Sequence, residues 1–160
     1  MTKPNLFVPN RYALVAGAGD SESGLNAFDR ALQAAECGQY NLVKVTSILP
    51  PAAAAGDHTC LPAGGIVFAA LSSATSRNAG LQISASVAVG IPKDSSQAGV
   101  IMEGHFHCPA AESESRVRKM AEVAMTDRNL DILRIDSIAL DHVVEQAGAV
   151  VAAVLLWRED

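Results

Sequence analysis

The sequence predicts an α+β fold in which two helices pack on the outer faces of β-sheets. Strand-like stretches are numerous and only two stretches have helical periodicity, an element balance typical of layered α+β proteins. Of the 160 residues, 49% are hydrophobic but only 4% are aromatic. The core must therefore consist mainly of Ala, Val, Ile and Leu in tight layers, and the length suits one domain.

The first part of the chain predicts a strand, a helix and a second strand. Residues 11–17 have a strand-like pattern, and a Gly/Ser/Asp turn follows through Gly24. Helical spacing then links four residues: Leu25, Phe28, Leu32 and Ala35. Ser23 or Gly24 is the expected N-cap, and Gly38 stands where a C-cap belongs. Residues 41–47 alternate as a strand that ends in two hydroxyl residues.

The rest of the chain predicts five further strands and one helix. Residues 50–64, rich in Pro, Ala and Gly, predict an irregular connector. Three apolar runs of strand length follow: 65–72, 80–91 and 98–107. Residues 112–127 have helical spacing with charged residues between the apolar ones. Closing strands are expected at 131–141 and 147–157, divided at Gly148 or just before it.

Composition and charge exclude several classes of partner. The net charge is −5 without a basic cluster, which argues against nucleic acid. The run at 147–157 is too short to cross a bilayer and predicts a buried strand, so no membrane association is expected. The N-terminus lacks the apolar segment of a signal peptide. Three cysteines without CxxC spacing favour a reduced cytoplasmic protein with free thiols.

The glycine cluster "AGAGDSESG" invites a dinucleotide-binding interpretation. Its spacing is Gly17, Gly19 and then Gly24, which is not GxGxxG, and the chain has no repeated βαβ units. The pattern favours a turn.

Histidines and cysteines offer a possible metal site. "HFHC" places His105 and His107 on one face of a strand, and His58, Cys60 and Cys108 supply further donors. Two histidines are only half a site, so surface histidines are the favoured interpretation and no metal is predicted.

The hydroxyl pair Thr46–Ser47, in "NLVKVTSILPP" at 41–51, has two interpretations. From residue types alone it is the end of a strand stopped by Pro-Pro. Chemically, a serine hydroxyl can attack the preceding carbonyl and convert the amide into an ester. Elimination and loss of ammonia then leave a pyruvoyl group. That reaction needs a well-held peptide and a donor for the oxyanion, and Asn41 has a suitable amide.

Two carboxylates also have alternative roles. Glu103 follows the apolar run Val100–Met102, and the pattern alone favours a solvent-facing side chain. In a semi-apolar pocket its pKa would instead be raised, which suits a general acid. Asp29 lies next to Phe28 in the first helix and predicts a solvated charge.

Several stretches together resemble the pyruvoyl-dependent arginine decarboxylases. They keep similar order and spacing from about Tyr12 to Trp157. The stretches are "LNAFDRAL" (25–32), "NLVKVTSILPP" (41–51), "LPAG" (61–64), "ISASVAVGIPKD" (83–94), "GVIMEG" (99–104) and the closing 135–157.

The resemblance implies a four-layer αββα sandwich that cleaves itself at Thr46–Ser47. Residues 1–46 would form the β chain and 47–160 the α chain, with Ser47 becoming the pyruvoyl cofactor. Asn41 matches the residue that assists processing. No metal and no pyridoxal phosphate are implied, and αβ units are expected to form trimers with active sites between subunits.

The resemblance also implies roles in catalysis and substrate binding. The pyruvoyl group forms a Schiff base with arginine, CO₂ leaves, and Glu103 returns a proton to give agmatine. Asp29 matches the carboxylate that receives the guanidinium, and Leu25 and Gly38 line the same pocket. Tyr40 stands where a smaller apolar residue is usual, next to that pocket, and would shorten it or add a hydroxyl.

Three alternatives remain open at this level. In the first alternative, the reaction is the same but the substrate is another basic amino acid, because Asp29 suits any cationic side chain. The chain is an unprocessed, non-catalytic homologue that acts as an oligomeric binding or structural protein. The third alternative, a metal-binding protein using His105 and His107, has the least support.

Overall fold

The computed structural model describes residues 4–160, which form nine strands and two α-helices. The strands are β1 (Arg11–Ser21), β2 (Asn41–Lys44), β3 (Ile48–Leu49), β4 (Ala54–Ala55), β5 (Ile66–Ser76), β6 (Gln82–Pro92), β7 (Gly99–Phe106), β8 (Ile132–Val143) and β9 (Ala147–Trp157). The helices are α1 (Gly24–Ala34) and α2 (Ala110–Asp127). A single 3₁₀ turn spans His58–Cys60.

The strands form two sheets that pack face to face. One sheet has the order β2-β5-β9-β1-β4 and the other β3-β7-β6-β8. An inter-sheet core contains side chains of both sheets, such as Val150 and Val87. Helix α1 packs its buried Ala27 and Ala31 on the outer face of the first sheet, and α2 packs Val117 on the outer face of the second. These layers confirm the α+β prediction and are consistent with an αββα sandwich.

The buried-strand prediction for 147–157 is confirmed. Every residue of β9 is buried, and β9 lies in the middle of its sheet between β5 and β1. Among residues 4–160, no helix is long and apolar enough to cross a membrane.

The turn predicted after residue 17 is wrong for Gly19, whereas Gly17 lies in a strand, as the pattern of residues 11–17 predicts. Gly17 and Gly19 lie within β1, antiparallel to β9. A Cβ atom on Gly17 would overlap the backbone of Ala31 and Ala35, and one on Gly19 would lie 2.8 Å from the Ala27 oxygen. These glycines therefore let α1 approach β1 closely, and the turn is confined to Glu22 and Ser23.

Helix α1 begins as predicted but ends earlier. The Ser23 Oγ caps its start by accepting from the Asn26 N–H at 3.1 Å. The C-cap is Ala35, not Gly38. Glu36 has a φ of 58°, and the Cys37 N–H donates to the Leu32 oxygen at 3.0 Å, the pattern of a Schellman motif.

The strand predicted at 41–47 ends at Lys44, and a separate strand, β3, begins in the other sheet at Ile48. Strand β2 pairs in parallel with β5 and stops at Lys44, whereas β3 pairs antiparallel with β7. The connector predicted as irregular contains β4, which pairs in parallel with β1. A helical or strand period cannot reveal a change of pairing partner within a continuous extended segment.

Candidate active site

The Thr46–Ser47 peptide lies where the chain crosses from one sheet to the other. The last bond to the first sheet is donated by the Val45 N–H to the Ala69 oxygen at 3.0 Å. The first bond to the second sheet is donated by the Ile101 N–H to the Ser47 oxygen at 2.9 Å. The peptide between them is anchored on both sides and belongs to neither sheet.

The carbonyl of Thr46 has its own hydrogen bond. The Ile48 N–H donates to the Thr46 oxygen at 2.9 Å, which closes a three-residue turn centred on Ser47. Ser47 is half-buried, and Thr46 is exposed. The predicted cleavage site is thus a hydrogen-bonded turn and not a plain strand end.

Glu103 lies on β7, two residues beyond Ile101, whose N–H donates to the Ser47 oxygen. Two residues of strand span about 7 Å. Side chains alternate along a strand, so Glu103 shares the face of Ile101, which packs in the inter-sheet core. Its Oε2 is buried and has no hydrogen-bond partner. The solvent-facing orientation expected from pattern alone is therefore wrong.

The environment of Glu103 favours its neutral form. Burial raises the pKa of the Glu103 carboxyl, and the positive charge of Lys44 lowers it in part. Burial is the larger effect. A carboxyl that keeps its proton to higher pH than usual is suited to act as a general acid.

Asn41 begins β2, six residues before Ser47. Its side-chain Nδ2 donates to the Gly64 oxygen at 2.9 Å, and its N–H donates to the Gly65 oxygen at 2.9 Å. The four residues of β2 extend over about 10 Å, and Asn41 lies at the end of β2 that is far from the crossing. Within one chain, the Asn41 amide is therefore engaged elsewhere and does not contact the Thr46 carbonyl.

Tyr40 is buried, and its hydroxyl donates to the His58 oxygen at 2.6 Å. Burial raises the pKa of the Tyr40 hydroxyl. The hydroxyl hydrogen is therefore engaged with the 3₁₀ turn in this chain.

Leu25 and Asp29 lie one turn apart on the solvent face of α1. Leu25 is 79% exposed, and the exposed Asp29 accepts from Gln33 Nε2 at 2.5 Å. The solvated Asp29 expected from the helical pattern is confirmed. Gly38 is half-buried against Gln33, with its Cβ position 3.0 Å from the Gln33 nitrogen.

The predicted site residues therefore form two groups. Thr46, Ser47 and Glu103 lie at or beside the inter-sheet crossing, while the other group surrounds α1 and the start of β2: Leu25, Asp29, Gly38, Tyr40 and Asn41. Because α1 covers the opposite face of the first sheet, Asp29 is separated from Glu103 by a helix and a sheet. One chain alone does not bring all eight residues together.

Of the two cavities that bear on the site, only one lies beside a predicted site residue. A mainly apolar cavity of about 230 Å³ lies beside the crossing and is lined by Thr46, Ile48, Phe7 and Phe68, among others. The Phe7 and Phe68 ring centroids are 5.5 Å apart. A larger polar cavity of about 530 Å³ near Asp20 and Arg30 is lined by none of the predicted site residues.

The histidines do not assemble a metal site. Strand β7 ends at Phe106, so His107 lies beyond it, and both His105 and His107 are exposed. Within residues 4–160, no group of three or more His, Cys, Asp or Glu side chains is placed to hold a metal ion. The three cysteines are free thiols.

Sequence reasoning missed three participants at the crossing. The N–H groups of Ile48 and Ile101 are backbone donors, which leave no trace in residue type. Lys44 could have been predicted, because it is a cation only three residues before Ser47. In an alternating strand, however, a lysine is normally interpreted as a solvent-facing residue.

Comparison with known proteins gives consistent matches over most of the chain. The family described as "Pyruvoyl-dependent arginine decarboxylase" matches residues 11–160. A protein of that name from Methanocaldococcus jannaschii is 43% identical over 94% of this chain and 91% of its own length. One from Methanococcus aeolicus is 42% identical (93% and 90%), and one from Methanothermobacter thermautotrophicus is 36% identical (94% and 98%).

Proposed function

Because the chain belongs to the pyruvoyl-dependent arginine decarboxylase family, we propose that it converts L-arginine to agmatine and CO₂. The observation that carries the proposal is the position of Glu103. Its carboxyl oxygen is buried without a partner, two residues along β7 from the contact that holds Ser47. The related proteins share the name of this activity, and the site supplies an acid and a serine where the activity needs them.

The surroundings of Ser47 fit a pyruvoyl group. The Ile101 N–H supports its carbonyl, and the unpartnered Oε2 of Glu103 offers a hydrogen bond that no protein group uses. A pyruvoyl group supplies a ketone for the substrate amine and an electron sink for the pair left when CO₂ departs. No metal or pyridoxal phosphate is required for that chemistry.

Glu103 acts as the general acid. Burial raises the pKa of its carboxyl, which lies on the same face of β7 as the apolar Ile101 and so keeps its proton to higher pH than an exposed glutamate does. The proton is delivered to the carbon that has lost CO₂. Lys44 limits how far the pKa rises and so keeps the carboxyl able to release its proton.

Self-cleavage at Thr46–Ser47 produces the active form, with a β chain of residues 1–46 and an α chain of residues 47–160. The support is the anchoring of this peptide at the sheet crossing by hydrogen bonds on both sides. The three free thiols suit a reducing compartment such as the cytoplasm.

The complete site forms between subunits, in a trimer of αβ units. Two features support this arrangement: the division of the site residues into two groups, and the character of the edge that carries the crossing. Strand β2 is an edge strand, and Val43, Ile48 and Ile66 near it are 42%, 43% and 69% exposed. An exposed edge strand with apolar side chains is a ready pairing surface.

Asp29 of one subunit then faces Ser47 and Glu103 of the next. An exposed carboxylate on a rigid helix can accept two parallel hydrogen bonds from a guanidinium. The ammonium of lysine presents a single point charge and fits less well, which favours arginine among basic amino acids.

Intact-protein mass spectrometry of the purified chain under denaturing conditions tests the proposal. Two fragments split at Thr46–Ser47 are expected, the larger one lighter by one ammonia than a chain that starts with serine. Carbon dioxide release from arginine should accompany them. A single 16.6 kDa species without decarboxylase activity would contradict the proposal and favour a non-catalytic binding protein.

A further inference from the structure

We propose that the backbone N–H of Ile48 is the oxyanion donor for self-cleavage at Thr46–Ser47. The proposal rests on the function proposed above and assigns the stabilising group within the same chain. The attacked atom is the Thr46 carbonyl carbon, and its oxygen gains negative charge in the transition state. The Ile48 nitrogen is 2.9 Å from that oxygen. Donors that stabilise oxyanions lie at about 2.7–3.1 Å from the position that the oxyanion takes, and this oxyanion develops from the carbonyl oxygen that already accepts from Ile48.

The pairing of β3 with β7 leaves the Ile48 N–H free for this role. Ile48 is directly opposite Val100, and the neighbouring bond runs from the Ile101 N–H to the Ser47 oxygen. In an antiparallel pair, this places Ile48 and Val100 at a non-hydrogen-bonded position, so the Ile48 N–H points away from β7. It turns back to the Thr46 carbonyl instead of joining the ladder.

The reacting peptide is held on both sides. The Ile101 N–H fixes the carbonyl that follows Ser47 Cα, and the Ile48 N–H fixes the carbonyl that precedes the Ser47 nitrogen. Among residues 4–160, the non-glycine residues with positive φ are Glu36, Ala52 and Asn129, so Ser47 has a negative φ and forms an inverse γ-turn. The turn preorganises the donor before any charge develops, which is the arrangement that electrostatic catalysis requires.

The side-chain amide of Asn41 is placed differently. It donates to the Gly64 oxygen at 2.9 Å at the far end of β2. In the same chain it is not a donor to Thr46, so the Ile48 N–H supplies the charge stabilisation in cis. Any contribution of Asn41 in an assembled trimer would be additional to it.

The step balances without a further reagent until the final hydrolysis. Ser47 Oγ forms a bond to the Thr46 carbonyl carbon, and the carbonyl π pair moves to the oxygen that faces the Ile48 N–H. Collapse of this oxyanion breaks the carbon–nitrogen bond, and the hydroxyl proton passes to the Ser47 nitrogen. Loss of the Ser47 Cα proton then expels the Thr46 carboxylate from Cβ. The resulting enamine tautomerises, and water replaces its nitrogen, which leaves as ammonia.

The test removes the backbone N–H of residue 48 and keeps the isoleucine side chain. The full chain is assembled by semisynthesis with the α-hydroxy analogue of isoleucine at position 48, which replaces the N–H with an ester oxygen. Ile48→Val retains the N–H and serves as the matched control. Asn41→Ala is measured in parallel, and thermal unfolding establishes that each variant is folded.

The expected result is slower release of the 1–46 fragment. Loss of one oxyanion donor slows such reactions by about 100-fold to 1,000-fold, whereas Ile48→Val should cleave at close to the wild-type rate. Hydroxylamine traps the ester as a Thr46 hydroxamate, and hydroxamate formation should slow by the same factor. A cut after Ser47 by hydrolysis of the introduced ester is distinguished by its fragment masses.

Other outcomes decide against the inference. If the wild type cleaves and the ester variant cleaves at the same rate, the inference is wrong while the proposed function stands. If the hydroxamate forms at the wild-type rate in the ester variant, the Ile48 N–H acts only after the acyl shift. That result would also overturn the inference. If the wild type does not cleave at all, the inference and the proposed function fail together.

Discussion

The Gln33 side chain donates a hydrogen bond to the Asp29 carboxylate at 2.5 Å across one turn of α1. This contact fixes the orientation of a charged group that is otherwise surrounded by solvent. Both residues lie on the helix face opposite Ala27 and Ala31, which pack against the sheet. Asp29 is thereby held with its carboxylate facing outwards, which is the orientation that the proposed recognition of arginine across a subunit boundary requires.

Replacing Asp29 with Asn should lower kcat/KM for arginine by about 100-fold, because the guanidinium loses its charged partner in a desolvated contact. Cleavage at Thr46–Ser47 should continue at the wild-type rate. Steady-state kinetics with arginine and lysine measure the effect, and Gln33→Ala is the control, with a change of a few-fold at most. Full activity of the Asp29→Asn variant on arginine would refute the assigned role.

Replacing Glu103 with Gln should lower kcat by about 100-fold to 10,000-fold, because an amide cannot give up a proton as a general acid does. The side-chain shape is kept, so the chain should still fold and cleave. The wild-type rate should fall as pH rises through the raised pKa of Glu103, and the residual rate of the variant should lack that fall. Glu145→Gln, at an exposed position, is the control.

Replacing Lys44 with Met should shift the pH profile of kcat/KM. The Lys44 charge favours the ionised form of Glu103 and so lowers the Glu103 pKa. Without this charge the Glu103 pKa rises further, and the neutral acid persists to higher pH. The alkaline limb of the profile therefore moves to higher pH. Lys93→Met removes an exposed lysine and should leave the profile unchanged. A shift to lower pH in the Lys44 variant would contradict this electrostatic role.

Replacing Asp20 with Ala should destabilise the fold by about 1–2 kcal/mol at neutral pH, because the carboxylate accepts from two N–H groups of the β8–β9 turn. Burial alone would raise the Asp20 pKa, but bonds from Glu145, His142 and Gln146 together lower it to about 2. The folded state therefore keeps this charge in more acidic solution than the unfolded state does. The stabilisation is complete above the unfolded pKa of 3.8 and is lost as pH falls towards about 2.

Urea unfolding of both proteins at neutral pH and at a series of acidic pH values measures this difference. The gap between wild type and Asp20→Ala should close in acid. Glu22→Ala, at a neighbouring exposed carboxylate, should show no gap at any pH.

Replacing Gly17 with Ala should destabilise the fold by about 3 kcal/mol, because the new methyl group meets the α1 backbone, which cannot move without opening the layer. For a chain of this size the melting temperature should fall by about 2–4 °C per kcal/mol. Gly24→Ala is the matched control, since nothing lies within 4 Å of its Cβ position. Equal melting temperatures for the two variants would disprove the close-packing role of Gly17.

Much of the fold follows from local sequence, since period and apolar length alone predict both helices and the long strands. Contacts between elements are less predictable. Gly17 and Gly19 resemble a turn because glycine is common in turns, but here the missing side chains make room for a helix. The division of 41–49 between two sheets depends on β5 and β7, which are distant in sequence.

The site shows the same limit more sharply. Resemblance makes Ser47 and Glu103 candidate site residues, but whether Glu103 faces water or the inter-sheet core depends on which face of β7 is covered. Tyr40 illustrates a third case. Its hydroxyl is a possible pocket group in the sequence, yet the fold commits it to the His58 carbonyl.

The position of β1 has a consequence for the proposed cleavage into two pieces. Strand β1 lies between β9 and β4, so a strand of residues 1–46 is inserted between strands of residues 47–160. A cut at Thr46–Ser47 leaves the pieces interleaved and turns unfolding into a dissociation. The melting temperature of the cut form then depends on this second association equilibrium, and dilution lowers it more than that of an uncut Ser47→Ala chain. In the uncut chain, the peptide bond holds the two parts together at any concentration. After the cut, their association would depend on concentration.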